Sequence, residues 1–396
     1  FGHFVPQLGD GRAILLGECI TKNKNIVDIQ LKGSGQTKYS RQGDGLAPIG
    51  AVIREYILSE AMYHLNIPTT RALAAIKTGD SVIRETLMPG GIIVRTAKSH
   101  IRVGTFEYFY YQNDLENLKI LIDYALNRHH PSLKNKPNSY LLFFRKIGQN
   151  FLNLVAEWMR VGFIHGVMNT DNTSVTGETI DFGPCAFMDK FEFNKVFSSI
   201  DHYGRYNYSN QPNIALWNLS KLAICFSPFI DKNQKKSIDL LENELHQFQN
   251  FYKKKWLKKM SSKLGIFNPI QSDTKLIIDF LKYLEKNQLD FTNTFRQLPL
   301  QLENQDPIIQ SIKNRLKNQK DSITQAKNLM NKNNPHRIPR NHHVEHVIQE
   351  SIKNNNTPLN QILGSIKTPY DSNTNFKKYT NCPTQEEEVT QTFCGT

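Results

Sequence analysis

Residues 165–183 read HGVMNTDNTSVTGETIDFG, and the fold class turns on this stretch. It follows an apolar segment, Phe163 and Ile164, and passes through a polar loop carrying Asn169, Asp171 and Asn172. It then turns at Thr176 and Gly177 and closes on Asp181, Phe182 and Gly183. Asn172 and Asp181 thus stand as oxygen donors at the two ends of a hairpin. Such a pair suits a hard divalent cation such as Mg²⁺, which keeps several waters and takes one or two protein ligands beside the phosphates it binds. Thr-Asp-Asn in isolation also caps a turn, so Asp171 by itself carries no chemistry.

Protein kinases use the same groups, in a loop H-R-D-x-x-x-x-N followed by Asp-Phe-Gly. Laid on that pattern, His165 takes the place of His, Asn172 of Asn and Asp181 of the metal-binding Asp, while Val167 falls where the base belongs. A valine accepts no proton, which argues against a conventional phosphotransferase. Keeping Lys32, Asn172 and Asp181 together argues against a non-catalytic scaffold, which needs neither metal ligand. The expected fold is α+β and two-lobed, like a protein kinase, with a small β-rich N-lobe holding one helix and a larger, mostly helical C-lobe.

Upstream, residues 1–32 alternate short apolar runs with a glycine turn, which predicts three antiparallel strands with Gly9, Asp10, Gly11 and Arg12 between the first two. A glycine turn lets backbone N–H groups approach a phosphate, although an ordinary hairpin reads the same way. Lys32 closes the third strand. A helix over residues 48–65 offers two carboxylates to it: at about 100° per residue Glu60 lies on the apolar face and Glu55 on its flank. Residues 69–104 read as three further strands and a polar turn. Arg95 and Arg102 stand out there because a planar guanidinium grips phosphate bidentately, though each also reads as a surface arginine. From Asn113 the pattern turns helical, with a long Leu- and Phe-rich helix leading into the central loop.

The chain has 396 residues and a formal net charge of +13. Residues 251–340 carry +11 of it and residues 171–190 sum to −3, so the basic charge is remote from the metal loop. The segments KKKWLKKM (residues 253–260) and KNRLKNQK (residues 313–320) read as solvated helix faces in preference to a dedicated polyanion site, with no nucleic-acid motif beside them. No apolar run is expected to span a membrane and no signal peptide is visible. The first residue, Phe1, falls inside a strand pattern, so sequence upstream of it is expected. Five widely spaced cysteines suggest a reducing compartment with at most one functional disulfide.

The motifs LGDGRA, LKGSGQT, YSRQGDG, IREYILSEAMYHLNIPTTRAL, RTAKSHIRVGTFE, GFIHGVMNTDN, IDFGP and DHYGRYNYSNQPNIALWNL occur in this order, with a weaker match from NPHRIPRNH onward. In them the chain resembles the SelO (selenoprotein O, YdiU-type) protein adenylyltransferases over almost its whole length. The resemblance implies a kinase-like enzyme that transfers AMP from ATP, with Mg²⁺ or Mn²⁺, to Ser, Thr or Tyr hydroxyls of proteins and releases pyrophosphate. Whether UTP replaces ATP stays open. It implies Asp171 as proton acceptor, Asn172 and Asp181 as metal ligands, and Glu55 as the partner of Lys32. Nucleotide contacts are implied at Gly9, Gly11, Arg12, Lys32, Asp44, Gly45, Arg95, Arg102 and Asp181. The nucleotide would lie flipped relative to kinases, with its γ-phosphate held inside by Lys32, Arg95 and Arg102. Some family members carry selenocysteine at the position of Cys394, and bacterial relatives pair a C-terminal cysteine with one in the activation segment. Cys185 is the nearest candidate partner here, and both residues equally read as free thiols. The expected division is residues 1–104 as the nucleotide-binding N-lobe, 105–368 as the helical C-lobe with its metal loop at 165–184, and 369–396 as a polar tail. A monomer is expected, with ATP and protein substrates as partners and no nucleic acid or membrane. The expected location is cytoplasmic, or mitochondrial in a eukaryote.

Overall fold

The computed structural model describes residues 11–40, 43–372 and 374–393. Its first part is a four-stranded antiparallel sheet built from β1 (Ala13–Ile20), β2 (Ile26–Lys32), β3 (Arg71–Ile83) and β4 (Leu87–Ala97), in the order β1-β2-β4-β3. Helix α1 (Ile49–His64) crosses between β2 and β3 and packs on β3 and β4. Pro48 starts it, as a residue without a donor N–H can, and Ile49, Val52, Ile53 and Ile57 form its buried stripe. The first of the three expected leading strands falls on residues 1–10, outside the described residues, and the other two are β1 and β2. Two of the expected later strands are one: β3 runs through Gly79 with a shift of register between Lys77 and Ser81, so the Gly79–Asp80 pair is a bulge and not a turn.

The rest is helical. Helices α2 (Val103–Tyr111), α3 (Leu115–His129) and α4 (Ser139–Val161) lead into β5 (Phe163–Ile164), which pairs antiparallel with β6 (Ala186–Phe187). Then come α5 (Gln211–Ile230), α6 (Gln234–Lys263), α7 (Asp273–Lys286), α8 (Phe291–Gln301), α9 (Pro307–Lys317), α10 (Ile323–Asn333), α11 (Asn341–Ile352) and α12 (Thr357–Ile366). This is the α+β, kinase-like two-lobed arrangement. The polar turn expected around residue 104 is instead the start of α2, whose aromatic residues carry weak helix propensity and which forms through packing on α3 and α5.

Helix α4 is the core of the helical part. Phe144, Phe151, Leu152, Val155 and Trp158 are buried, with Phe144 against Phe226 of α5 and Phe248 of α6 and Trp158 against Phe163 and His165. Contrary to the expectation from the sequence, one helix, Tyr208–Ile230, is long and apolar enough to cross a membrane by length and composition. Leu219, Leu222 and Phe226 of that helix are buried in the protein core. Chain order and packing part company near the end. Val344, Val347 and Ile348 of α11 and Ile362 of α12 bury against Ile49, Val52 and Ile53 of α1, so late helices back the early one. The tail then runs along the segment after Asp181: Lys190 pairs with Glu388 at 3.0 Å, and Thr392 donates its hydroxyl to the Pro184 carbonyl at 2.6 Å.

Candidate active site

The site starts from an inverted strand. In β2 the residues 28, 30 and 32 point one way, and this polar face, Asp28, Gln30 and Lys32, is the buried one. Each group is satisfied. Asp28 accepts from Arg128 at 2.6 Å and from the His100 backbone N–H at 2.8 Å. Gln30 faces Arg95 across the sheet and accepts from its Nε at 2.9 Å. Lys32 donates to Glu55 Oε2 at 2.8 Å and to Asp181 Oδ1 at 2.7 Å. Glu55 also accepts from Arg95 at 3.0 Å. Of the two carboxylates on α1, Glu55 is therefore the partner of Lys32. Glu60 is taken by Arg71, at 2.7 and 2.8 Å, whose guanidinium stacks on Tyr63.

Desolvation alone would push the buried Glu55 and the partly buried Asp181 carboxyls up, but the charges of Lys32 and Arg95 outweigh it and hold both below the usual carboxylate range. Groups with depressed values bind fewer protons folded than unfolded. Their stabilisation is complete above the unfolded values near 4 and fades as pH falls below them. Glu55→Gln is expected to cost about 3 kcal/mol at pH 7. In urea titrations that deficit should shrink as the pH is lowered below about 4, where the carboxyl takes up a proton in the unfolded chain while it stays ionised in the folded one.

The hairpin between β5 and β6 brings in the central loop. His165 is buried, with Nε2 at 2.9 Å from the Ile180 carbonyl, which ties the loop's start to the residue before Asp181. Asn172 donates Nδ2 to the Val167 carbonyl at 3.1 Å, leaving Oδ1 as the atom suited to a cation. Asn169 accepts from the Tyr206 hydroxyl. Asp171 lies against the first turn of α2: a Cβ on Gly104 would sit 2.4 Å from its Oδ1, so any side chain there would displace this carboxylate. Glu107, one turn further along α2, is buried, and burial pushes its carboxyl up against a hydrogen bond from Thr170. The backbone of Asp181 has φ +66°, a left-handed conformation that Asp and Asn tolerate better than most residues.

Of these groups Lys32, Arg95, Asn169, Asp171, Asn172 and Asp181 line one cleft of about 530 Å³. Arg12, Lys32, Arg84, Arg95 and Arg102 contribute five cations, and Asp44, Asp171 and Asp181 three carboxylates. Gly11, Gly45 and Asn172 also line it, whereas Gly9 lies outside the described residues. Arg84 was not anticipated from the sequence. It grips Asp44 with both terminal nitrogens, at 2.8 and 3.1 Å, and donates to the Leu46 carbonyl at 2.9 Å. Gly45 has φ +69°, and a Cβ there would lie 1.9 Å from the Gly35 carbonyl oxygen. Gly45→Ala must therefore open this loop. It is expected to raise the KM for nucleotide about tenfold or more in initial-rate assays while changing kcat much less.

Among the described residues no cluster of three His, Cys, Asp or Glu is placed to hold a metal ion. The two oxygen donors Asn172 and Asp181 in one cleft fit a hard cation that brings waters and phosphate oxygens as its other ligands. Cys185 is fully buried in the core, where burial pushes its thiol up, and Cys394 lies outside the described residues.

A two-lobed kinase-like fold around a cationic cleft defines an enzyme that handles nucleotide phosphates. Residues 1–367 match the family described as protein adenylyltransferase SelO. The chain is 46% identical to the protein nucleotidyltransferase YdiU of Maridesulfovibrio salexigens, over 100% of this chain and 83% of that protein. It is 45% identical to the YdiU of Clostridium perfringens, over 100% and 82% respectively. The YdiU of Bradyrhizobium diazoefficiens is 46% identical, over 100% and 84%. The chain belongs to the SelO family and is a nucleotidyltransferase.

Proposed function

We propose that this enzyme transfers AMP from ATP to Ser, Thr or Tyr hydroxyls of acceptor proteins and releases pyrophosphate. The observation that carries the reading is the content of the cleft: Lys32 and Arg95, both nearly buried, meet Arg102, Asp171, Asn172 and Asp181, while Val167 replaces the kinase base. Lys32, Arg95 and Arg102 hold the β- and γ-phosphates inward, which leaves the α-phosphate facing the acceptor. Asp171 takes the proton of the incoming hydroxyl, whose oxygen bonds to the α-phosphorus as the bond to pyrophosphate breaks. Pyrophosphate leaves with its charge still matched by the two arginines and Lys32. Asn172 and Asp181 would hold Mg²⁺ or Mn²⁺, which supplies charge neutralisation on the phosphates when bound. Asp44, fixed by Arg84, and the Gly45 turn shape the nucleotide's side of the cleft.

Peptide mass spectrometry of the chain and an added acceptor protein after incubation with ATP tests this. Adenylyl adducts on Ser, Thr or Tyr are expected and should be lost in Asp171→Asn. Phosphate adducts alone would return the chain to kinase chemistry.

A further inference from the structure

Helices α4, α6 and α10 meet the end of α1 around a second cavity, of about 490 Å³, that shares no lining residue with the catalytic cleft. Lys255, Lys258 and Lys259 of α6, Lys332 of α10 and Arg160 of α4 line it, and among the described residues Glu157 is its single carboxylate. Glu157 is already used: it accepts from Arg160 Nε at 2.5 Å and from Lys259. Arg160 is further fixed by the Asn333 carbonyl at 2.9 Å and the Tyr370 hydroxyl at 3.2 Å. Lys258 and Lys332 have no ion-pair partner among the described residues, and the Lys255 ammonium has only the Phe251 ring, 5.2 Å away.

A solvated basic face spreads its lysines over a convex surface. Here five cations line one concavity: Arg160 and Lys259 share its one carboxylate, Lys255, Lys258 and Lys332 are left over, the last two exposed, and a polyvalent anion would relieve the repulsion among them. Asn66, Asn153 and Ser262 add uncharged polar groups to the wall. Lysine ammoniums suit phosphate as point charges, and the volume suits a compact group and not a nucleic-acid duplex. We propose that this cavity is a second anion site that takes a compact polyphosphate group, free or as part of a nucleotide. The run KKKWLKKM, which the catalytic cleft does not use, supplies three of its five charges.

Calorimetric titration of the full chain with inorganic tripolyphosphate tests this. The wild type should take up two equivalents. The double variant Lys258→Glu/Lys332→Glu should keep the cleft equivalent and lose affinity at the second site on the order of a hundredfold. Lys32→Ala should weaken the cleft equivalent alone. Lys258→Gln/Lys332→Gln should fall between wild type and the charge reversal, which separates lost charge from lost structure. Repeating the titration with ATP identifies the source: a second equivalent of ATP assigns a nucleotide, and a second equivalent of tripolyphosphate alone assigns an inorganic chain. One equivalent bound by the wild type, or two bound with unchanged affinity by the charge-reversed chain, overturns the proposal.

Discussion

Asp181→Asn is expected to lower nucleotide transfer about a thousandfold or more while the protein stays folded. The carboxylate sits at the cleft with its side chain one-third exposed, so it is not a packing element. Its removal leaves Lys32 still paired with Glu55 at 2.8 Å. What is lost under the proposed mechanism is the anionic ligand for the metal, on the order of several kcal/mol of transition-state stabilisation. Asn is the sharper substitution than Ala, because the left-handed backbone at this position adds roughly 1 kcal/mol of strain for an alanine. Initial rates together with thermal melting check the claim. Near wild-type transfer by a folded Asp181→Asn protein would remove Asp181 from the metal site.

Lys32→Ala should have two effects at once. Losing the ammonium that faces both Glu55 and Asp181 misplaces the terminal phosphates, and transfer should fall about a hundredfold. The same change breaks a buried ion pair and should cost about 3 kcal/mol of stability. Arg95, 3.0 Å from Glu55, keeps that carboxylate from being orphaned, so the variant should still fold. Rates and urea titrations read the two losses separately. A lysine that merely ended a strand would move neither.

Much of this arrangement was legible in the residues, and the failures have physical reasons. The central loop could be read because its polar residues fall at fixed spacing within one hairpin. The choice between Glu55 and Glu60 could not be made from helix periodicity. Glu60 does lie toward the sheet, but Arg71 on β3 takes it, a contact between residues distant in pattern. Strand β2 departs from the usual pattern: alternation normally turns polar residues outward, and here Asp28, Gln30 and Lys32 face inward because each meets a buried partner. Arg84 gave no signal, since an arginine beside a turn is ordinary until Asp44 is placed against it. Helix α2 was hidden by its aromatic composition, and with it the approach of Gly104 to Asp171. The backing of α1 by α11 and α12 depends on packing across the whole chain, which no local pattern encodes.

The central claim is that the α-phosphate, and not the γ-phosphate, faces the acceptor. Parallel reactions with ATP labelled at the α- or at the γ-phosphate, followed by counting of protein-bound label, test it without knowledge of the physiological substrate. The account predicts label on protein from the α-position alone, with the γ-label released in pyrophosphate. Label on protein from the γ-position alone would contradict it.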